Sequence, residues 1–237
     1  MAARGWHAAV AVSAAIVTLV VLGMGASWLA TLHSKATRYA VPAGLTRVEI
    51  GLSSGDALIV GTQSPSLEVR RADRYAFGRR AQEQRSLSGG VLRISSRCPK
   101  IVVGGCSASY ELAVPETVSI SVRTTRGNVR LEGFRGTATI QTETGNVNVD
   151  AYCGFQLAAA TGSGDIRIAA ACSPADLQVR TRSGNAVAFV PPGGRYRIKA
   201  FSGAGPPHVS GVTSDPRAPF TIDMRSGSGS VTIGGGL

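Results

Sequence analysis

Ser119-Ile120-Ser121-Val122-Arg123-Thr124-Thr125-Arg126-Gly127-Asn128-Val129-Arg130-Leu131-Glu132 is the stretch whose reading decides the fold. Ile120 and Val122 alternate with polar residues up to Gly127-Asn128, and Val129 and Leu131 resume the alternation beyond it. Period-two apolarity on both sides of a Gly-Asn corner reads as strand, tight turn, strand. Glycine supplies the positive φ that such a corner needs, and asparagine tolerates it while bonding nearby backbone.

The pattern recurs. Aligning the chain on Gly127, Gly145, Gly164, Gly184, Gly205 and Gly229 gives spacings of 18, 19, 20, 21 and 24 residues. Three positions before these glycines stand Thr124, Thr142, Thr161, Thr181, Ser202 and Ser226, all hydroxyl residues. Just after the first four stand Asn128, Asn146, Asp165 and Asn185. Apolar pairs keep the same register, as in Ala138/Ile140 and Val147/Val149, or Leu157/Ala159 and Ile166/Ile168. A repeat this short buries its apolar stripe only by stacking on its neighbours. The expectation is therefore an all-β protein with a β-solenoid-like repeat domain of about 18–21 residues per coil. A β-sandwich or β-roll is the alternative, because short Gly-punctuated strands also suit those folds. Equivalent residues of adjacent coils would lie ~4.8 Å apart, turning the Thr/Ser and Asn/Asp columns into ladders.

Working outward, Val48 to Val60 reads as one more copy around Gly55-Asp56. Residues 61–116 leave the register and read as strands near Leu67–Arg71, Gly90–Ser96 and Ser107–Val114, joined by an Arg-rich loop. The run Tyr110-Glu111-Leu112-Ala113-Val114-Pro115, then Val118–Val122, then Gly127-Asn128-Val129 and its recurrences resembles the bacterial DUF4097 β-strand-repeat family over about residues 44–233. That resemblance implies a membrane-anchored or secreted β-repeat domain of adhesin type. It brings no catalytic residues with it.

Cys153 and Cys172 each stand eight residues after a repeat glycine, which places them at equivalent corners of adjacent coils, within disulfide reach. Cys98 and Cys106 flank a short loop that a second bridge would close. Buried free thiols are the alternative. Zinc is disfavoured, because no C-x₂-C pair exists and His208 has no histidine companion in the domain.

Ala8 to Leu32 is a 25-residue stretch without Asp, Glu, Lys or Arg. As a helix it would extend about 37 Å, more than the ~30 Å hydrocarbon layer of a bilayer. Small residues are badly placed for signal cleavage, and Trp28 suits a membrane interface, so an uncleaved signal anchor is expected. The expected organisation is a tail and membrane-spanning anchor over 1–34, a stalk over 35–43, and an extracytoplasmic domain over 44–237 with an irregular insert at 61–116. The chain would sit in the cell membrane by a single pass.

Nothing in the sequence assembles a catalytic site, so a non-enzymatic protein without cofactor or metal is expected. Gly51-Leu52-Ser53-Ser54-Gly55 matches a nucleophile elbow only on paper, since a strand and not a helix follows. Gly162-Ser163-Gly164-Asp165 has too few aspartates in successive turns for a calcium β-roll. Glu132, Glu143, Asp150, Asp165 and Asp176 are read at different repeat registers, which disfavours a carboxylate dyad. The net charge is +11, and Arg4 is the only Lys or Arg among the first 34 residues, so nearly all of that excess lies in the domain. Arg70, Arg71, Arg74, Arg79, Arg80 and Arg85 cluster in the insert and form the candidate patch for anionic wall polymers or lipid headgroups. Nucleic acid is disfavoured, because aromatic stacking platforms are scarce. The chain's last coil, Ser226 to Ile233, carries no amphipathic cap and is expected to leave an open β edge for a protein partner.

Overall fold

The computed structural model describes residues 17–25, 33–77, 79–100 and 105–236. Strands β2 (Arg47–Leu52) and β3 (Ala57–Thr62) form a first coil around the Gly55-Asp56 corner. The regular coils follow as β8 (Ser119–Arg126) with β9 (Val129–Glu132), β10 (Ala138–Thr144) with β11 (Val147–Tyr152), β12 (Gln156–Ser163) with β13 (Ile166–Ala170), and β14 (Asp176–Ser183) with β15 (Ala186–Val190). The first strand of each coil joins one sheet and the second strand joins another. Equivalent residues pair in parallel, as in Ile140 with Val122 on one side and Ala159 on the other. Parallel in-register pairing of successive coils makes a β-solenoid rather than an antiparallel sandwich.

Both sheets turn inward the apolar half of the period-two pattern. Ile120, Val122, Ile140, Leu157 and Val179 from one meet Val129, Leu131, Val149, Ile166 and Ile168 from the other, all buried. Phe134, Tyr152 and Tyr196, fully buried, fill the wider corner opposite the glycines.

The glycine corner requires its residue type. Gly145 sits at φ 147°, and a Cβ there would fall 2.1 Å from the Gly127 carbonyl oxygen. The neighbouring column is a continuous ladder. Asp56 Oδ1 accepts the N–H of Asn128 (2.7 Å), Asn128 Oδ1 that of Asn146 (2.9 Å), and Asn146 Oδ1 that of Asp165 (2.8 Å). Asp165 Oδ1 accepts that of Asn185 (2.7 Å), and Asn185 Oδ1 that of Ser230 (3.0 Å). Beside it, Thr142, Thr161, Thr181 and Ser226 donate to the carbonyls of Gly127, Gly145, Gly164 and Gly184.

Coil order in space departs from chain order at both ends. Within the insert, β6 (Val91–Arg97) pairs in parallel with β2, and β7 (Cys106–Pro115) with β3, so this segment contains a coil of its own. It lacks a Gly-Asn corner; the Cys98–Cys106 disulfide ties its two strands instead. At the other end, β19 (Phe220–Ser226) and β20 (Val231–Gly235) slot between β14/β15 and the coil of β16 (Arg195–Ser202) and β17 (His208–Ser210). The expectation of an open edge at Ser226–Ile233 is therefore corrected. Gly229 stacks on Gly184 inside the ladder, and the outer coil is β16/β17, with β18 (Thr213–Ser214) covering only Arg195 and Tyr196.

The 35–43 segment expected as a stalk is mostly strand. β1 (His33–Val41) pairs antiparallel with β4 (Leu67–Tyr75), which pairs antiparallel with β7, while β5 (Gln82–Ser88) covers β6. These three strands cap the solenoid and blunt its edges. Among the described residues a helix covers 17–25, and none is long and apolar enough to cross a membrane. The remainder of the candidate span, 8–16 and 26–32, lies outside the described residues.

Candidate functional site

The Arg-rich stretch expected as a loop after the strand near Leu67–Arg71 is mostly strand, the end of β4 and all of β5, and its cations have separate roles. Counting by twos from Leu67 and Val69 turns Arg71 and Asp73 inward, where they are 8% and 3% exposed. Arg71 donates to Asp73 (2.8 Å), to Glu83 (2.6 Å) and to the Ala81 carbonyl (2.6 Å), and its guanidinium lies 5.8 Å from the Tyr110 ring centroid. Tyr39 and Tyr110 donate to the same Glu83 carboxylate. Burial alone would lower the Arg71 pKa, but the bonds to Glu83 and Asp73 outweigh it and leave it raised. This network bridges the two sheets at the capped end and leaves Arg71 unable to meet a ligand. Arg70 lies 3.6 Å from Glu111, and Arg85 bonds Glu83 (3.1 Å) and covers the Tyr39 ring at 4.1 Å. Arg74, Arg79 and Arg80 are exposed, and the Arg79 N–H donates to Ala76.

A second set of cations lies on the outer face of the β8/β10/β12/β14 sheet, next to the glycine corner. A hollow of about 1030 Å³ runs across the strands there. Arg97, Arg123, Glu143, Gly162 and Arg182 line it, with Ser53, Thr125 and Gln141 between them. Strand register explains the alignment: Leu52 pairs with Ser96 and Thr124, Thr142 with Thr124 and Thr161, and Thr161 with Thr181. The residue after each therefore stacks as Arg97, Ser53, Thr125, Glu143, Gly162 and Arg182. Arg123 holds the Gln141 side-chain oxygen at 3.1 Å. Arg97, Glu143 and Arg182 are exposed and pair with no charged group among the described residues. The adjoining hollow differs, because Arg47 and Arg93 share Glu49 there, at 4.0 and 2.8 Å.

Apart from Arg97, whose coil has no corner glycine, these outward residues stand two or four positions before a repeat glycine. The register that locates the corner also locates them, and reading the polar half of the alternation would have found them. Thr124 marks a break: its hydroxyl is buried without a partner, and Leu52 takes the hydroxyl position in the coil beside it.

The remaining candidates fall into structural roles. Gly127, Asn128, Gly145, Asn146, Gly164, Asp165, Gly184 and Asn185 all sit in the corner ladder, where the Asp165 carboxylate is engaged by Asn185. Cys98–Cys106 and Cys153–Cys172 are disulfides, the second with Cα atoms 4.7 Å apart. Ser53 occupies a strand–turn–strand corner and accepts the Cys98 N–H at 2.8 Å. One register reading is corrected: Glu132 and Asp150 are direct neighbours on β9 and β11. Arg130 lies 2.8 Å from the first and 3.6 Å from the second, so one guanidinium bridges the two carboxylates.

The geometry defines a capped, disulfide-stapled β-solenoid with a charged hollow across one sheet. The chain belongs to the Toastrack DUF4097 family, whose profile matches residues 54–234. Solved structures with likeness to it include a candidate cell-adhesion protein from Clostridium sporogenes ATCC 15579, at 12% identity and a TM-score of 0.45, covering 86% of this chain and 100% of that one. A candidate adhesin from Bacteroides fragilis NCTC 9343 shows 13% identity and a TM-score of 0.43, covering 85% and 97%. No curated protein matches the chain.

Proposed function

We propose that the protein is a non-enzymatic, adhesin-like binding module, carried on a membrane anchor within residues 1–34, that presents residues 44–237 outside the cytoplasmic membrane to anionic polymers or lipid headgroups of the cell envelope. The observation that carries this reading is the hollow beside the glycine corner, where Arg97 and Arg182 face solvent without acidic partners among the described residues and Arg123 lies on a strand between theirs. Rigid neighbouring coils fix Arg97 and Arg182 in one row with Arg123 in the row beside it, and anion binding to such an array weakens as salt screens it. The two disulfides suit an oxidising compartment.

The test is co-sedimentation of the full chain, held in detergent micelles, with cell-wall sacculi before and after their anionic polymers are extracted. Retention on intact sacculi at low salt, lost at high salt and after extraction, is the expected result. Equal retention on extracted sacculi at all salt concentrations would contradict the reading. A second reading, docking of a protein partner at an open edge, moves to β16, where Phe201 is 60% exposed and residues beyond Tyr196 have no outer neighbour in their sheet among the described residues. Light scattering over a concentration series, with and without Phe201→Glu, tests whether that edge self-associates.

A further inference from the structure

We infer that the hollow selects a zwitterionic chain, an ammonium group flanked by carboxylates or phosphates, and that Glu143 is the residue that reads the ammonium. The inference rests on the hollow being the ligand surface and names the ligand's charge pattern.

Three facts point the same way. First, Glu143 is an exposed carboxylate with no cation paired to it among the described residues, whereas the half-buried acids of this sheet are engaged: Glu49 and Asp223 by arginines at 2.8 and 2.9 Å, and Asp176 by the Gln156 and Gln178 amides. Second, Glu143 stands inside the row of cations. At ~4.8 Å per coil it is about 10 Å from Arg182 and about 14 Å from Arg97, measured between backbones. Third, the position between Glu143 and Arg182 is Gly162, where a Cβ would meet the Glu143 carbonyl oxygen at 2.6 Å. That site stays without a side chain and leaves a notch open between opposite charges. A uniformly anionic polymer laid along this row would set one of its charges against Glu143. A chain with an ammonium at that point meets a complementary charge at every step.

The test uses the full chain in micelles with two acetylated, amidated peptides, Asp-Ser-Ser-Lys-Ser-Ser-Ser-Asp and its counterpart with serine in place of lysine. An extended peptide advances about 3.3 Å per residue, so its charges match the row. The wild type is expected to bind the lysine peptide about 5- to 10-fold more tightly at low salt. Glu143→Gln should erase the preference by weakening the lysine peptide and strengthening the other. An unchanged ratio in Glu143→Gln, or a wild-type preference for the purely anionic peptide, overturns the inference. The Arg97→Gln/Arg182→Gln double variant separates the two readings. If it weakens both peptides while Glu143→Gln is without effect, only the ammonium assignment fails. If it binds both as tightly as wild type, or if the wild type binds neither, the hollow itself is not the ligand surface. All substituted side chains are exposed, so circular dichroism should show an unchanged fold.

Discussion

Ala151 holds φ at 53°, and the equivalent residue of the preceding coil, Gly133, holds 59°. The left-handed region strains a residue with a Cβ, and Ala151 is exposed, so its methyl group gains little packing there. Ala151→Gly should stabilise the protein by about 0.5–1 kcal/mol, read as a shift in the denaturant midpoint at constant slope. Gly145→Ala should act the other way and cost several kcal/mol, because its new Cβ meets the Gly127 carbonyl oxygen. Arg71→Ala leaves Asp73 and Glu83 buried beside a lost charge and should cost about 3–5 kcal/mol in the same measurement. Composition conceals this last role. Six arginines close together read as a solvated patch until alternation from Leu67 is followed through the charges. What composition omits is that an inward arginine is tolerable once Glu83, on a strand of the opposite sheet, supplies its partner.

At the scale of elements, buried aromatic side chains fill the wider corner, in place of the Asn/Asp ladder of the other one. Tyr152, fully buried, points its hydroxyl at the carbonyls of Gly136 (2.9 Å) and Gln156 (2.6 Å), and the Cys153–Cys172 bridge follows directly. Burial pushes the Tyr152 pKa well above 10, and the Gln156 bond offsets only part of that. The sign follows from linkage: the unfolded tyrosine ionises near pH 10 and the folded one does not. This contribution is therefore fully present below pH 10 and is lost as pH rises above it. Unfolding midpoints at pH 8 and pH 11 should differ more in the wild type than in Tyr152→Phe. That variant should itself cost about 1–2 kcal/mol at pH 8, from the two hydrogen bonds lost to those carbonyls. Replacing both Cys153 and Cys172 with alanine should cost about 3 kcal/mol on the chain-entropy account. Elements with a Gly-Asn corner were legible in the sequence, Val48 to Val60 included. The β6/β7 coil was not, because a disulfide-closed loop stands where the corner glycine would mark the register.

For the whole molecule, the order of coils in space matters more than their order in the chain. β19 and β20 carry the same register as β16 and β17, so the sequence offers no local signal for which coil lies outermost. Burial distinguishes them: Ile222, Met224, Val231 and Ile233 are at most 1% exposed, whereas Ile198 and Ala200 are only partly covered. Amide hydrogen exchange should therefore be slowest in β10 to β15 and in β19 and β20, and fastest among the strands in β16 to β18, despite β20 lying so near the C-terminus. The same stacking gives the molecule one rigid charged row across a sheet, while in the second group Arg70, Arg71 and Arg85 are paired with acids in the cap. Which group meets the ligand is decided by salt-dependent co-sedimentation with intact sacculi of two full-length triple variants, Arg97→Gln/Arg123→Gln/Arg182→Gln and Arg70→Gln/Arg74→Gln/Arg80→Gln. Each removes three positive charges. The first should lose at least about tenfold in affinity and the second less than about twofold. Equal losses would mean that net charge alone drives binding, and a larger loss in the second would return the site to the insert; either result overturns the hollow as the binding site.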